Sequence, residues 1–457
     1  MNADHWIWVA VAVRELLLFS AVGFTVFGID DLCVDLIWIS RHVKRNLTIY
    51  RRNARANAGM FAAPVSPFTL AVFVPAWDES VVIGQMLSRC GEAWGEEGYT
   101  VFVGNYPNDP QTFAAVCAVP NRHVHIVEMT SEGPTTKADC LNHLWNALLV
   151  HEQYYGIQFE AIVLHDAEDF VHSDELRVFG TLIRKLDFIQ LPVRPEIDRN
   201  SRWISGHYLD EFAEAHLKEM VVREAIGASL PSAGTGCCVR RSYLVQIADL
   251  HDGKPFDPTS LTEDYELGLR IGSLGGRSGL VRIKESDGED LVSVRAHFPA
   301  TLVAAVRQKS RWVVGIAFAG WDRTGWRGGL AEHWMRWRDR RCFLSALFIL
   351  SAYLALIACM LLAATGRSFE FGPALHLLLL INGFLFAWRI GMRAFCVALM
   401  YGPLESVRSI FRVLISNLIA LLACFYAIIR YEKMLRVGKV TWDKTSHRFV
   451  DAATKSK

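Results

Sequence analysis

The ten cysteines of this sequence include no C-x-x-C pair. The only neighbours are Cys237-Cys238, and Cys33, Cys342, Cys396 and Cys424 sit in or beside apolar segments. That spacing supports neither a structural zinc nor a disulfide framework, and it predicts reduced thiols. Charge of one sign is also missing. The formal net charge is +1, so nothing in the balance points to nucleic acid as a partner. There is no internal repeat and no low-complexity tract. The first apolar segment has no basic stretch before it and no small-residue cleavage site, so it reads as a retained membrane anchor rather than a leader.

What the chain has in excess is apolar residues, 52% of the total, with a mean hydropathy of +0.21. They concentrate near residues 6–39, 343–365, 374–400 and 407–430. A membrane helix needs about 20 mostly apolar residues. Phe343–Thr365 meets this without a charge, and Ala374–Met400 meets it with Arg389 and Arg393 inside. The first segment carries Arg14-Glu15 and then Asp30, Asp31 and Asp35. Residues 1–13 hold no Lys or Arg, whereas Arg41–Arg55 and Arg336–Arg341 are basic. The positive-inside rule therefore puts both ends of the middle domain in the cytosol. The basic tail, with Lys433, Arg436, Lys439, Lys444 and Arg448, belongs there too. A fourth crossing by 403–430 would break that parity. Its first half is expected to lie in the membrane plane as an amphipathic helix and its second half to be re-entrant or interfacial, with a plain fourth crossing as the alternative. The expected divisions are an anchor and basic linker over 1–58, a catalytic domain over 59–320, membrane and interfacial helices over 321–431, and a tail over 432–457.

The middle domain alternates short apolar runs with helical patterns. Leu70–Ala76, Thr100–Gly104, Val124–Met129, Ala161–His165 and Phe188–Val193 read as strands covered on both faces. Helical patterns follow at about 79–90, 136–151 and 173–185. The expected fold class is α/β, a Rossmann-like, mostly parallel sheet flanked by membrane and interfacial helices. Ligands of such sheets bind at the carboxyl ends of the strands.

Chemistry-bearing residues fall at those ends. Asp78 and Glu79 follow the first strand, where an acid can meet a base or ribose or simply cap a helix. Lys137 follows the Gly133–Thr136 loop at a helix start, a position suited to phosphate. His165-Asp166-Ala167-Glu168-Asp169 ends the fourth strand. Asp166 and Glu168 can converge on a hard divalent cation, Mg²⁺ or Mn²⁺, that completes its shell with phosphate oxygens. Thr262-Glu263-Asp264 opens a helix, where Thr262 can cap and the acids suit the first turn. Gly234-Thr235-Gly236 lies upstream and Gln308-Lys309-Ser310-Arg311-Trp312 downstream. Gln308, Arg311 and Trp312 share one helical face. They suit a clamp for a sugar diphosphate and an acceptor sugar better than a core.

On Asp166-Ala167-Glu168, Thr262-Glu263-Asp264 and Gln308–Trp312, the chain resembles the membrane-integrated family 2 glycosyltransferases of the GT-A fold, such as cellulose, chitin and hyaluronan synthases. The resemblance covers residues ~65–320 and, more loosely, the flanking helices. It implies that Asp78 contacts the uracil of a UDP-sugar, that Lys137 and Asp139 lie on the donor side, and that Asp166 and Glu168 hold the metal. It implies Asp264 as the catalytic base beside Glu263, with Gln308, Arg311 and Trp312 as the Q-x-x-R-W motif. Glu79, Asp109, Arg311 and Lys444 join the donor set, and Gly234, Thr235, Gln308 and Trp312 the acceptor set. Where the family often has Asp-Asp-Gly, this chain has Asn105-Tyr106-Pro107-Asn108-Asp109. That form, with Trp442–Thr445 in the tail, looks more like the phage-adsorption protein B branch of bacterial inner-membrane proteins. Members of that branch often carry an added cyclic-di-GMP-sensing domain. This sequence leaves no room for one, so such regulation would come from a partner or a longer parent.

The expected activity is inverting, metal-dependent transfer from a nucleotide-sugar to a growing glycan at the membrane, coupled to export and an outer-membrane partner. Transfer of one sugar to a lipid phosphate carrier, or a non-catalytic receptor that keeps the fold, are the rivals. A last expectation concerns membrane depth: Asp30, Asp31 and Asp35 pair with Arg389 and Arg393, or line a channel mouth with them, because charges there seek partners.

Overall fold

The computed structural model describes residues 3–62, 69–95, 98–366 and 372–437. Lys444 and the tail motif Trp442–Thr445 lie outside the described residues.

Among the described residues nine strands are formed: β1 (Leu70–Pro75), β2 (Tyr99–Asn105), β3 (Val124–Glu128), β4 (Ala161–Leu164), β5 (Phe188–Gln190), β6 (Val193–Pro195), β7 (Cys237–Arg240), β8 (Ser278–Leu280) and β9 (Val294–Ala296). Seven make one sheet in the order β3-β2-β1-β4-β7-β5-β8, and β6 pairs with β9 in a second. β1, β2, β3 and β4 are parallel. Only β7 runs against its neighbours β4 and β5. The expected fifth strand, Phe188–Val193, divides into β5 and the start of β6. The continuous apolar runs are explained by alternation. Val72, Val74, Val101 and Val163 enter the core on one face of the sheet, and Ala71, Phe73, Phe102 and Ile162 the core on the other.

The helices that build the site and the membrane region are, in chain order, α1 (Ala3–Thr48), α2 (Lys137–Tyr155), α3 (Gly206–Glu214), α4 (Glu263–Ser273), α5 (Leu302–Val313), α6 (Leu330–Arg340), α7 (Cys342–Ala364), α8 (Pro373–Tyr401) and α9 (Pro403–Val437). Four of them, α1, α7, α8 and α9, are long and apolar enough to cross a membrane. α1 packs closely on α7. A Cβ on Gly23 would lie 2.5 Å from the Phe348 ring, so the small residue permits the approach.

α9 departs from the expected in-plane half and re-entrant half. It is one unbroken helix of 35 residues, about 52 Å at 1.5 Å per residue. The reason is local: after Pro403 the segment contains no Gly or Pro to break it. Its partners lie on the α/β domain near both ends. Arg412 bonds Asp210 on α3 at 2.5 and 2.9 Å, and the Tyr431 hydroxyl bonds Asp322 at 2.9 Å. Between them Ala427 packs on Val314 and Ala319. α9 therefore runs along the domain rather than away from it.

The acids of α1 find cations, although of the expected pairings with Arg389 and Arg393 only Asp31–Arg389 forms among the described residues. Asp31 pairs with Arg389 and with Arg341 at 2.5 Å. Asp30 accepts from Arg341 and the Trp334 indole, each at 2.5 Å. Asp35 pairs with Lys218 at 2.7 Å and takes the Trp388 indole at 2.8 Å. Arg393 reaches away from α1 to Glu214 on α3, at 2.6 Å. The seam thus ties the membrane helices to the α/β domain.

Candidate active site

The parallel strands end on one side of the sheet, and a pocket opens there. Lys137, Asp166, Glu168, Asp169, Thr235, Glu263, Asp264, Gln308, Arg311 and Trp312 all line it. The three motifs separated widely in sequence therefore meet in space.

Lys137 is placed by capping. The Thr136 side chain accepts the Asp139 N–H at 3.1 Å and starts α2. The loop before it is held by the Asn-Tyr-Pro-Asn-Asp segment. Asn108 exchanges two 2.8 Å bonds with the Gly133 backbone, and the Tyr106 hydroxyl bonds Thr135 at 2.7 Å. Trp77 packs edge-on to Tyr106 at 5.1 Å. The Asn105–Asp109 segment thus acts as a clamp on the loop that presents Lys137. The Lys137 ammonium meets Asp166 at 2.5 Å. Burial alone would lower its pKa, but Asp166, Glu263 and Asp264 outweigh that and hold it above the ordinary lysine value.

The acidic turn after β4 is organised by a histidine. His165 is fully buried, with Nδ1 2.8 Å from Asp169 and Nε2 2.7 Å from Glu175. Burial works against its charge, yet Glu175 and Asp169 raise its pKa to about 10. Asp169 also accepts the Asp166 N–H at 2.9 Å and the Thr235 hydroxyl. These bonds all fall on Asp169 Oδ2, whereas its Oδ1 is buried without a hydrogen-bond partner among the described residues, and Asp166, Glu168 and Asp169 all line the pocket. Burial, then Asp166, Glu79 and Asp169, push Glu168 well above the usual carboxylate value. Crowded acids of this kind fit a cation that takes oxygen ligands and completes its shell from substrate. Among the described residues no group of three or more His, Cys, Asp or Glu stands ready to hold a metal.

Asp264 lies in the first turn of α4, its Oδ1 accepting the Tyr265 N–H at 2.7 Å. Its other oxygen occupies space that only glycine leaves open. A Cβ on Gly234 would fall 2.2 Å from Asp264 Oδ2, and Gly234 has φ +79°. Burial raises the Asp264 pKa, with Lys137 offsetting it. Burial and Asp264 together lift Glu263 to about 7. The expected cap by Thr262 is not made. Its side chain instead packs where Gly315 approaches, 2.5 Å from that residue's missing Cβ. Gly315 belongs to a π-helical turn, Val314–Phe318, that continues α5.

On α5, Gln308 is buried with its Oε1 lacking a hydrogen-bond partner among the described residues. Such an atom costs stability unless a ligand answers it. Arg311 and Trp312 share its face. Lys309 lies over the Trp312 ring at 4.6 Å and pairs with Glu211. An aromatic wall completes the pocket: Phe212 and Phe298, with ring centroids 4.8 Å apart. Neither was marked in the sequence, because only the long-range contact between α3 and the loop before α5 brings them together.

The other acids expected on the donor side sit apart from this pocket's lining. Asp78 is exposed beyond β1 with φ +55°. It caps no helix, since the next one starts at Ile83, and its N–H bonds Asp109 at 2.5 Å. Asp109 caps the helix Pro110–Cys117 through Thr112 N–H at 3.2 Å. Both Asp109 oxygens are thus bonded to backbone. The Glu79 N–H bonds the Thr112 hydroxyl at 2.9 Å.

Residues 161–366 match the glycosyl transferase family group 2 pattern, a stretch that holds Asp166, Asp264 and Gln308–Trp312. The chain is 36% identical over 469 residues to bacteriophage adsorption protein B of Escherichia coli strain K12, covering 96% of the chain and 62% of the relative. The bacteriophage N4 adsorption protein B of E. coli O157:H7 matches to the same extent. The chain therefore spans 62% of the length of these curated relatives. Among solved structures it is similar to a mannosyltransferase from Pyrobaculum calidifontis in complex with GDP-Man and Mn²⁺. The TM-score is 0.52 at 14% identity, over 92% of this chain and 99% of the other.

Proposed function

We propose that the chain, whose residues 161–366 match the glycosyl transferase family group 2 pattern, transfers a sugar, with inversion, from a nucleotide-sugar to a glycan acceptor at a membrane. The observation that carries the reading is the convergence of Asp264, Lys137, Asp166 and the Gln308–Trp312 face on one pocket. Asp264 takes the proton of the acceptor hydroxyl. The hydroxyl oxygen forms a bond to the anomeric carbon while the bond from that carbon to the diphosphate breaks, its electron pair leaving with the nucleoside diphosphate. Lys137 and Arg311 supply positive charge to that leaving group. Asp166 and Glu168 would hold a divalent cation, Mg²⁺ or Mn²⁺, that neutralises the diphosphate. Trp312 and the Phe212–Phe298 wall offer faces on which an acceptor sugar stacks. Gln308 Oε1 is an acceptor for one sugar hydroxyl.

Asp78 and Glu79 remain assigned to the nucleoside end and Lys444 to the diphosphate. Gly234 acts by admitting Asp264, and Thr235 by fixing Asp169. The donor is taken to be a UDP-sugar delivered from the cytosol of a bacterium, with the α/β domain on the cytosolic face of the inner membrane. Elongation of a polymer with export is preferred over transfer of one sugar to a lipid phosphate. Product length from purified protein separates the two. The direct test is nucleotide release from a panel of nucleotide-sugars with Mg²⁺ or Mn²⁺. Release from at least one donor, dependent on the cation, is expected. No release from any donor under either cation contradicts the reading.

A further inference from the structure

A second large cavity, of about 680 Å³, lies where α1 ends, between the end of α8 and β8. It shares no lining residue with the active-site pocket. One side of it is cationic. Arg41, Arg45, Arg55 and Arg282 line it, and among the described residues none of the four has a carboxylate within ion-pair distance. Arg41 Nε is buried without a hydrogen-bond partner among those residues.

The Tyr50 ring gathers two of these guanidiniums. Arg45 donates to its hydroxyl at 2.6 Å and lies 5.3 Å from the ring centre, with Arg55 at 4.5 Å. Arg282 faces them, and its pKa is pushed down by burial and then by Arg55 and Arg45. Two carboxylates also line the cavity, and both are engaged. Glu224 accepts the Leu280 N–H at 3.3 Å, and Glu289 pairs with Lys284. Glu224 also feels the charge of Arg41 and Arg45, but one carboxylate against four guanidiniums leaves an excess of positive charge that an anion would answer. Phosphate meets guanidiniums in the bidentate geometry they favour.

The opposite side of the cavity decides which anion. Trp38 of α1 and Phe395 and Leu399 of α8 form it, and both helices are of membrane length. A free anion would leave this wall uncovered, whereas an amphiphile covers it and meets the arginines with its head. We infer that this cavity binds the phosphate-bearing headgroup of an anionic membrane lipid. The inference rests on the membrane character of α1 and α8 and not on the transferase reading, so the two fail separately.

The test uses the purified full chain, stripped of lipid in detergent, with its thermal midpoint followed during titration. The probes are short-chain phosphatidylglycerol, phosphatidylcholine of equal chain length, and inorganic phosphate. Phosphatidylglycerol is expected to raise the midpoint at a concentration about tenfold below phosphatidylcholine. The double variant Arg41→Gln/Arg282→Gln should lose that preference. The single variant Arg55→Gln, at an exposed position, should weaken it several-fold. Equal response to both lipids, or an undiminished preference in both variants, overturns the site. Inorganic phosphate matching phosphatidylglycerol overturns the lipid assignment.

Discussion

The active-site pocket and the charge seam at the membrane helices hold similar numbers of acids and treat them in opposite ways. In the seam, Asp30, Asp31 and Asp35 each meet at least one cation. In the pocket, Asp166, Glu168, Glu263 and Asp264 gather around Lys137 and are left short of positive charge. Burial and mutual repulsion raise Glu168, Glu263 and Asp264 above ordinary carboxylate values. The seam is built for stability. On the proposed function, the pocket gives up stability to keep carboxylates ready for a cation and a proton.

Breaking the satisfied side should produce the largest loss of stability. Arg412 is fully buried, with Asp210 at 2.5 Å and Glu405 at 2.5 Å. Arg412→Ala leaves the buried Asp210 unanswered, while Glu405 keeps Arg408, and should cost about 3–5 kcal/mol of stability. Thermal unfolding in detergent measures it, and a change under ~1 kcal/mol would mean the pair is not structural.

Relieving the unsatisfied side should do the reverse. With Glu263 near 7 when folded and near 4.5 when unfolded, the folded state binds the extra proton between those values. Stability is therefore lost as pH rises through that window and stays low above it. Glu263→Gln should stabilise the protein at pH 8 by on the order of 2 kcal/mol and change little at pH 4. Unfolding midpoints at the two pH values test this. Equal shifts at both would remove ionisation as the cause.

The smallest effect is expected at the clamp. Asn108→Ala removes both bonds to Gly133, about 1 kcal/mol in stability. It should raise the donor KM several-fold with kcat less affected, because Lys137 is then presented less firmly. Steady-state kinetics separate this from a loss in kcat alone, which would place the segment elsewhere in the mechanism.

Much of this contrast was legible in the sequence, and the reason is local periodicity. β1 to β4 are apolar runs that needed no partner to recognise, and the acidic turn follows β4 directly. Thr262–Asp264 and Gln308–Trp312 were readable as words, although only the fold brings them to one pocket. The illegible parts depend on contacts far apart in the chain. β7 inserts antiparallel between β4 and β5, and three-residue strands such as β8 carry too little pattern. Asp109 was expected on the donor side; that its carboxylate also caps a helix and takes the Asp78 N–H depends on Thr112 and Asp78 rather than on its own type. His165 was given no role of its own, yet it sits between Asp169 and Glu175. Arg412 reads as amphipathic because its partner Asp210 is 202 residues away.

The central claim is that Asp264 is held in its pocket for proton transfer and not for the fold. One comparison tests it: nucleotide-sugar turnover and thermal midpoint for the parent and Asp264→Asn, measured on the same preparations. Turnover should fall by about 10²–10⁴-fold, with donor binding kept and the midpoint unchanged or higher. Turnover within a few-fold of the parent, or a lowered midpoint that accounts for the loss, would contradict it.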